Sequence, residues 1–248
     1  MYGWRAKIGL ILPASDTTME PELYRMAPEG VSIHTTRIEL PQFTRESLLK
    51  MEKQIERAVR ELLQAEVSLI TFGCTSGSFV GGAGYESHLH KKIALLSSKP
   101  VVVTSEAVIE ALRSLGLKKL AVVTPYPEEI NKLEKIFFEE NGFTITRIGG
   151  YDFSRKIEGY PLKSSTLTAI GLQEPYVAYV LGKMLDSPDA DGIFISCTCF
   201  RTLEIIQMLE EDLKKPVVTS NQATMVAILK SVGIRSGLKG YGKLFNQI

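Results

Sequence analysis

Three segments from the first half of the chain recur in the second half, in the same order. "KIGLILP" at 7–13 resembles "KLAVVTP" at 119–125, and "VSLITFGCTSGSF" at 67–79 resembles "ADGIFISCTCFRT" at 190–202, with Cys-Thr aligned. "KPVVVTSEAVIEALRSLGL" at 99–117 resembles "KPVVTSNQATMVAILKSVGI" at 215–234. The offsets are 112, 123 and 116 residues, each near half of the 248-residue chain. One such match is what any α/β protein would show by chance. Three in order argue for two similar halves.

Short Val/Ile/Leu-rich runs at 7–12, 31–38, 67–72, 100–104, 119–124, 143–149, 191–196 and 216–219 predict strands. They lack clean alternation, as parallel strands covered on both faces do. Amphipathic stretches between them predict helices, among them one continuous helix over 45–66 and another over 224–233. This βαβ rhythm predicts an α/β chain with doubly wound sheets and right-handed crossovers. In such sheets ligands bind beyond the carboxyl ends of the strands. If the halves face each other, equivalent strand ends approach one cleft from opposite sides.

Cys74 and Cys197 occupy such equivalent places, one or two residues past predicted strands. A thiol just before a helix feels the positive end of the helix dipole, which predicts a lowered pKa and favours thiolate. Thr75 and Ser76 offer hydroxyls and backbone N–H groups at a helix start, an anion site or simply a cap. Thr198 repeats that frame after Cys197. Tyr126 follows the first strand of the second half, placed to donate to a substrate carboxylate or to close an interface. Asp16 lies in "LPASDTTMEPE" at 12–22, a polar loop that suits a ligand site or an ordinary helix start.

Composition excludes other classes. A net charge of +1 with interleaved signs gives no electrostatic case for nucleic acid or an anionic membrane surface. The apolar stretch that ends at Pro13 is too short for a signal h-region or a membrane span. Three cysteines without framework spacing fit a reducing, cytoplasmic setting. Cys197 and Cys199 form Cys-x-Cys, but His34, His88 and His90 show no zinc-type spacing with them, so no metal is expected. "FVGGAGYESH" lacks the pattern of a phosphate-binding loop.

"IGLILPASDTTMEPE", "FGCTSGSF", "TPYPEEIN", "ISCTCFRTLEII", "PVVTSNQA" and "GYGKLF" together resemble the maleate isomerase and arylmalonate decarboxylase branch of the aspartate/glutamate racemase superfamily. The resemblance implies two pseudo-symmetric Rossmann-like (flavodoxin-like) halves, each a mainly parallel four-stranded sheet flanked by helices, with the active site between them. One half would comprise 1–104 plus 220–248 and carry Cys74; the other, 105–219, would carry Cys197. It implies no cofactor, a small carboxylate substrate, and homodimers as a family-level expectation. Cys74 matches the family's nucleophile and Cys197 the acid/base on the opposite face. Thr75, Ser76, Tyr126 and Thr198 match positions that hold a substrate carboxylate.

The decarboxylases have glycine where this chain has Cys74. Having both cysteines therefore implies cis–trans isomerisation of a maleate-type acid, or racemisation of an amino-acid derivative by the same two thiols. A hydantoin racemase, an arylmalonate-decarboxylase-like enzyme and a carboxylate-binding protein without turnover are the remaining alternatives. Two departures bear on the substrate. Asp16 stands where the isomerases carry asparagine, and its charge would repel a dicarboxylate unless it were protonated or paired. The loop at 152–161 reads "DFSRKIEGYP", where Arg155 or Lys156 would supply positive charge.

Overall fold

Eight strands build two sheets. They are β1 (Ala6–Pro13), β2 (Val31–Ile38), β3 (Leu69–Phe72), β4 (Val101–Val103), β5 (Lys119–Thr124), β6 (Thr144–Gly150), β7 (Gly192–Ile195) and β8 (Val217–Thr219). The computed structural model describes residues 2–151, 166–235 and 238–247. The sheet orders are β2-β1-β3-β4 and β6-β5-β7-β8, so the second repeats the first shifted by four strands. Every pairing is parallel. β3 and β7, next to the sheet centres, are buried along their whole length, as the unalternated apolar runs predict.

Eleven helices are described: α1 (Met19–Met26), α2 (Arg45–Lys50), α3 (Ile55–Gln64), α4 (Thr75–Phe79), α5 (Tyr85–Ser97), α6 (Thr104–Ser114), α7 (Glu128–Glu140), α8 (Thr166–Gly171), α9 (Pro175–Leu185), α10 (Ile206–Leu213) and α11 (Ser220–Ser231). The capping residues explain several boundaries. The Thr44 hydroxyl accepts from the Ser47 N–H at the start of α2, and α11 opens with a capping box between Thr219 and Gln222. Pro175 begins α9, where its missing N–H costs nothing.

The continuous helix expected over 45–66 is broken. A 3-10 turn at Met51–Gln54 separates α2 from α3. The Gln54 amide is tied at both ends to the Glu39 backbone, accepting from its N–H (2.8 Å) and donating to its carbonyl (3.0 Å). That tertiary anchor overrides the helical pattern.

The halves join through α6 and α11, the helices that follow the last strand of each sheet. They pack on each other, with the Thr224 hydroxyl donating to that of Thr104 at 3.2 Å. α6 contacts β4 and β8, and α11 contacts β3, β4, β8 and α1, so each touches both sheets. Among the described residues no helix is long and apolar enough to cross a membrane.

Candidate active site

Cys74 lies two residues beyond β3 and Cys197 two beyond β7. They meet in one site. Charge on Cys74 raises the Cys197 pKa, the Asp16 carboxylate acts on both thiols, and Tyr126 feels both. Each cysteine is 4% exposed. Asp16, Thr75, Ser76, Tyr126 and Thr198 are buried alongside them. Lys156 and Arg155 lie outside the described residues.

Cys74 is itself the N-cap of α4. Its Sγ accepts from the Gly77 N–H at 3.3 Å, with the Ser76 hydroxyl 3.9 Å away. Gly77 is needed for this approach, since a Cβ there would stand 2.9 Å from Cys74 Sγ. Ser78 anchors the turn by donating to the Cys74 and Thr75 carbonyls at 2.7 and 2.8 Å. The Thr75 hydroxyl donates to Ser220 Oγ at 2.9 Å, bonding α4 to α11.

The lowered thiol pKa expected at this helix start is not what the structure produces. Burial pushes Cys74 up to about 12, outweighing the Gly77 N–H and the Ser76 hydroxyl, and Asp16 adds to the rise. α4 has only five residues, so its end charge is small against the desolvation of a shielded thiolate. Burial and then Asp16 also raise Cys197, against the Cys199 N–H and the Tyr126 hydroxyl. Without substrate, both groups are held as thiols.

Cys197 has φ +91°, a left-handed conformation that a non-glycine residue adopts only under constraint. The constraint comes from both sides of the loop. Glu22 of α1 accepts from the Thr202 and Leu203 N–H groups at 2.8 and 3.0 Å and from Asn221 Nδ2 at 2.7 Å. Asn221 Nδ2 also donates to the Thr198 carbonyl at 2.9 Å. Burial pushes the Glu22 carboxyl up to about 7 despite these donors.

Behind Cys197 runs a buried polar chain. Ser196 Oγ hydrogen-bonds to the Tyr126 hydroxyl at 3.3 Å and to the Glu134 carboxyl of α7. Burial pushes Glu134 up to about 8, and its other oxygen has no partner. Phe43, from the first half, stacks on Tyr126 with centroids 5.2 Å apart.

Asp16 Oδ1 accepts from the Thr18 and Met19 N–H groups at 2.9 and 3.0 Å, capping α1. Oδ2 is buried without a hydrogen-bond partner. Thr198 lies near enough to favour the charged carboxylate, yet burial prevails and raises the Asp16 pKa.

Cys199 is buried against the Asp16 loop, its pKa well up from burial and from Asp16. Among the described residues no group of three His, Cys, Asp or Glu could hold a metal. His88 pairs with Glu52 and His90 with Glu106, away from the cysteines, while His34 meets Ser32.

Glu22, Glu134, Ser196, Ser220, Asn221 and Phe43 escape the sequence reading. For two of them a signal existed. Glu22 falls in the buried stripe Met19, Glu22, Leu23 and Met26, and Glu134 in the stripe Ile130, Asn131, Glu134, Phe137 and Phe138. A carboxylate on an apolar helix face marks a buried partner.

Known proteins share this architecture. The maleate isomerase of Nocardia farcinica is 29% identical over 252 residues, spanning 97% of this chain and 96% of its own. The solved Nocardia farcinica maleate cis-trans isomerase bound to TRIS superimposes with a TM-score of 0.87 at 26% identity, covering 98% of both chains. A cysteine-to-serine mutant of it, with a covalently bound succinylcysteine intermediate, gives a TM-score of 0.86 at 24% identity, covering 98% and 99%. The family model described as arylmalonate decarboxylase matches residues 8–245, nearly the whole sequence, and the chain belongs to that family.

Proposed function

We propose that the protein is a cofactor-independent cis–trans isomerase of a small unsaturated carboxylate, working in the cytoplasm through Cys74 and Cys197. The observation that supports this most directly is the convergence of the two thiols, from equivalent ends of β3 and β7, on one buried site. The likeness to maleate isomerases, one bearing a succinylcysteine, points the same way.

In this reading Cys74 Sγ bonds to one carbon of the double bond, and the π electrons move toward the substrate carboxylate. Cys197 delivers its proton to the other carbon and is replenished by the proton that Cys74 gives up. The sum is addition of one S–H across the double bond. The new single bond rotates, Cys197 hands its proton to the departing Cys74 sulfur as it takes one from the adjacent carbon, and the S–C bond breaks to release the trans acid with both thiols restored. The hydroxyls of Ser76, Tyr126 and Thr198 stabilise the enediolate-like charge; such preorganised donors are worth about 2.7–4 kcal/mol each.

The test is proton NMR of cis-unsaturated acids in deuterium oxide, with mass spectrometry of the protein. The wild type is expected to yield the trans acid, and Cys197→Ser to accumulate a substrate-mass adduct on Cys74. Cys74→Ala is expected to form neither. Near-wild-type turnover by Cys74→Ala would overturn the reading, and deuterium entering the α-carbon of a chiral acid without cis–trans conversion would replace it with racemisation.

A further inference from the structure

Asp16 Oδ2 is the unfilled acceptor of the site. The carboxyl is buried, and both Thr18 and Met19 N–H groups hold Oδ1, so the side chain is fixed with Oδ2 turned away from the cap. Oδ2 has no partner. Asp16 acts electrostatically on Cys74, Cys197 and Cys199, and its loop packs on the Cys197–Cys199 segment, where a Cβ at Gly171 would meet both Thr17 Oγ1 at 2.7 Å and Cys199 Sγ at 3.1 Å. Arg37 is the cation that acts on Asp16, but its guanidinium is committed elsewhere. It donates to the Asp16 and Ala14 carbonyls at 2.7 and 3.2 Å and pairs with Glu20 at 2.8 Å.

With Asp16 ionised, a dicarboxylate with one end against it would bring two like charges together in a dry site. An N–H donor from the substrate completes Oδ2 instead. For the double bond to accept a thiol, the group that bears the N–H must also withdraw electrons from it. A carboxamide does both, whereas an amine on the alkene would donate electrons. We infer that the substrate is a cis-unsaturated acid with a carboxylate at one end and a primary carboxamide at the other, the amide N–H donating to Asp16 Oδ2. This rests on the isomerase reading above and narrows its substrate.

Asp16→Asn reverses the polarity of one atom. The Thr18 and Met19 N–H groups require an oxygen at Oδ1, so the Asn amide nitrogen must replace Oδ2 and turn an acceptor into a donor. The experiment measures kcat/KM for maleate and for maleamate, its half-amide, with the wild type and Asp16→Asn. The wild type is expected to favour maleamate by on the order of ten- to hundredfold, and Asp16→Asn to shift that ratio toward maleate by a similar factor. A wild-type preference for maleate, or a ratio that moves less than about threefold in the variant, overturns the inference.

Calorimetric binding of the saturated probes succinamate and succinate needs neither turnover nor the variant. Tighter binding of succinamate by the wild type upholds the recognition of a carboxamide by Asp16 even if neither unsaturated acid is isomerised, and in that case the isomerase reading falls while the ligand class stands. Equal or tighter binding of succinate overturns the inference while leaving any observed isomerisation in place.

Discussion

At the residue scale, the two cysteines are equivalent in the repeat but not in their backbones. Cys74 has an extended conformation and caps a helix, whereas Cys197 sits at φ +91° in a loop held by Glu22 and Asn221. The aligned Cys-Thr pairs reveal the equivalence, but no propensity reveals the strain, which is imposed by Glu22, 180 residues before its partner Thr202, and by Asn221, 23 residues after its partner Thr198. Replacing the side chain separates strain from chemistry. Cys197→Gly is expected to be more stable than Cys197→Ala by about 1 kcal/mol, both without turnover, because glycine adopts this φ freely. Urea denaturation of the two variants checks it, and equal midpoints would mean the loop relaxes.

At the element scale, the strands were legible because parallel buried strands leave continuous apolar runs, and all eight fall where those runs predict. The helices were less so. α2 and α3 are parted by an anchor from Glu39 that no local pattern encodes, and the polar members of the buried faces of α1 and α7 were assigned no role from sequence. Glu134 on α7 has a consequence for stability. Its carboxyl is raised from 4.5 to about 8 by burial, so the fold favours the protonated form. That contribution is complete below pH 4.5 and is lost as pH rises through about 8. Stability is therefore expected to fall from pH 5 to 8, and Glu134→Gln, which cannot ionise, to flatten part of that fall. Glu22 acts in the same direction up to about pH 7, and the raised Asp16 and Glu210 carboxyls add to it. Chemical denaturation at several pH values measures both slopes, and unchanged slopes in the variant would exclude Glu134 as a source.

At the scale of the whole molecule, the site exists only because the halves are locked together. Glu22 is one such polar link, a single carboxyl joining α1 to the loop after Cys197 and to α11. Glu22→Ala strands three buried donors at about 1–3 kcal/mol each, so a loss of at least about 2 kcal/mol and a drop in kcat are expected. Glu22→Gln keeps an acceptor for Thr202 and Leu203 and is expected to lose less than half as much. Thermal melts and steady-state rates test this, and equal losses in the two variants would exclude hydrogen bonding as the cause. The sequence alone determined the duplication, the strand positions and the pairing of Cys74 with Cys197, because periodicity and repeats are local properties written in residue order. Only the tertiary structure decided that burial outweighs the helix dipole at Cys74, that no helix starts at Cys197, that Asp16 keeps an open acceptor, and that Glu22 and Glu134 are buried. Desolvation and hydrogen-bond satisfaction depend on which distant segments close over a group, and that is set by packing.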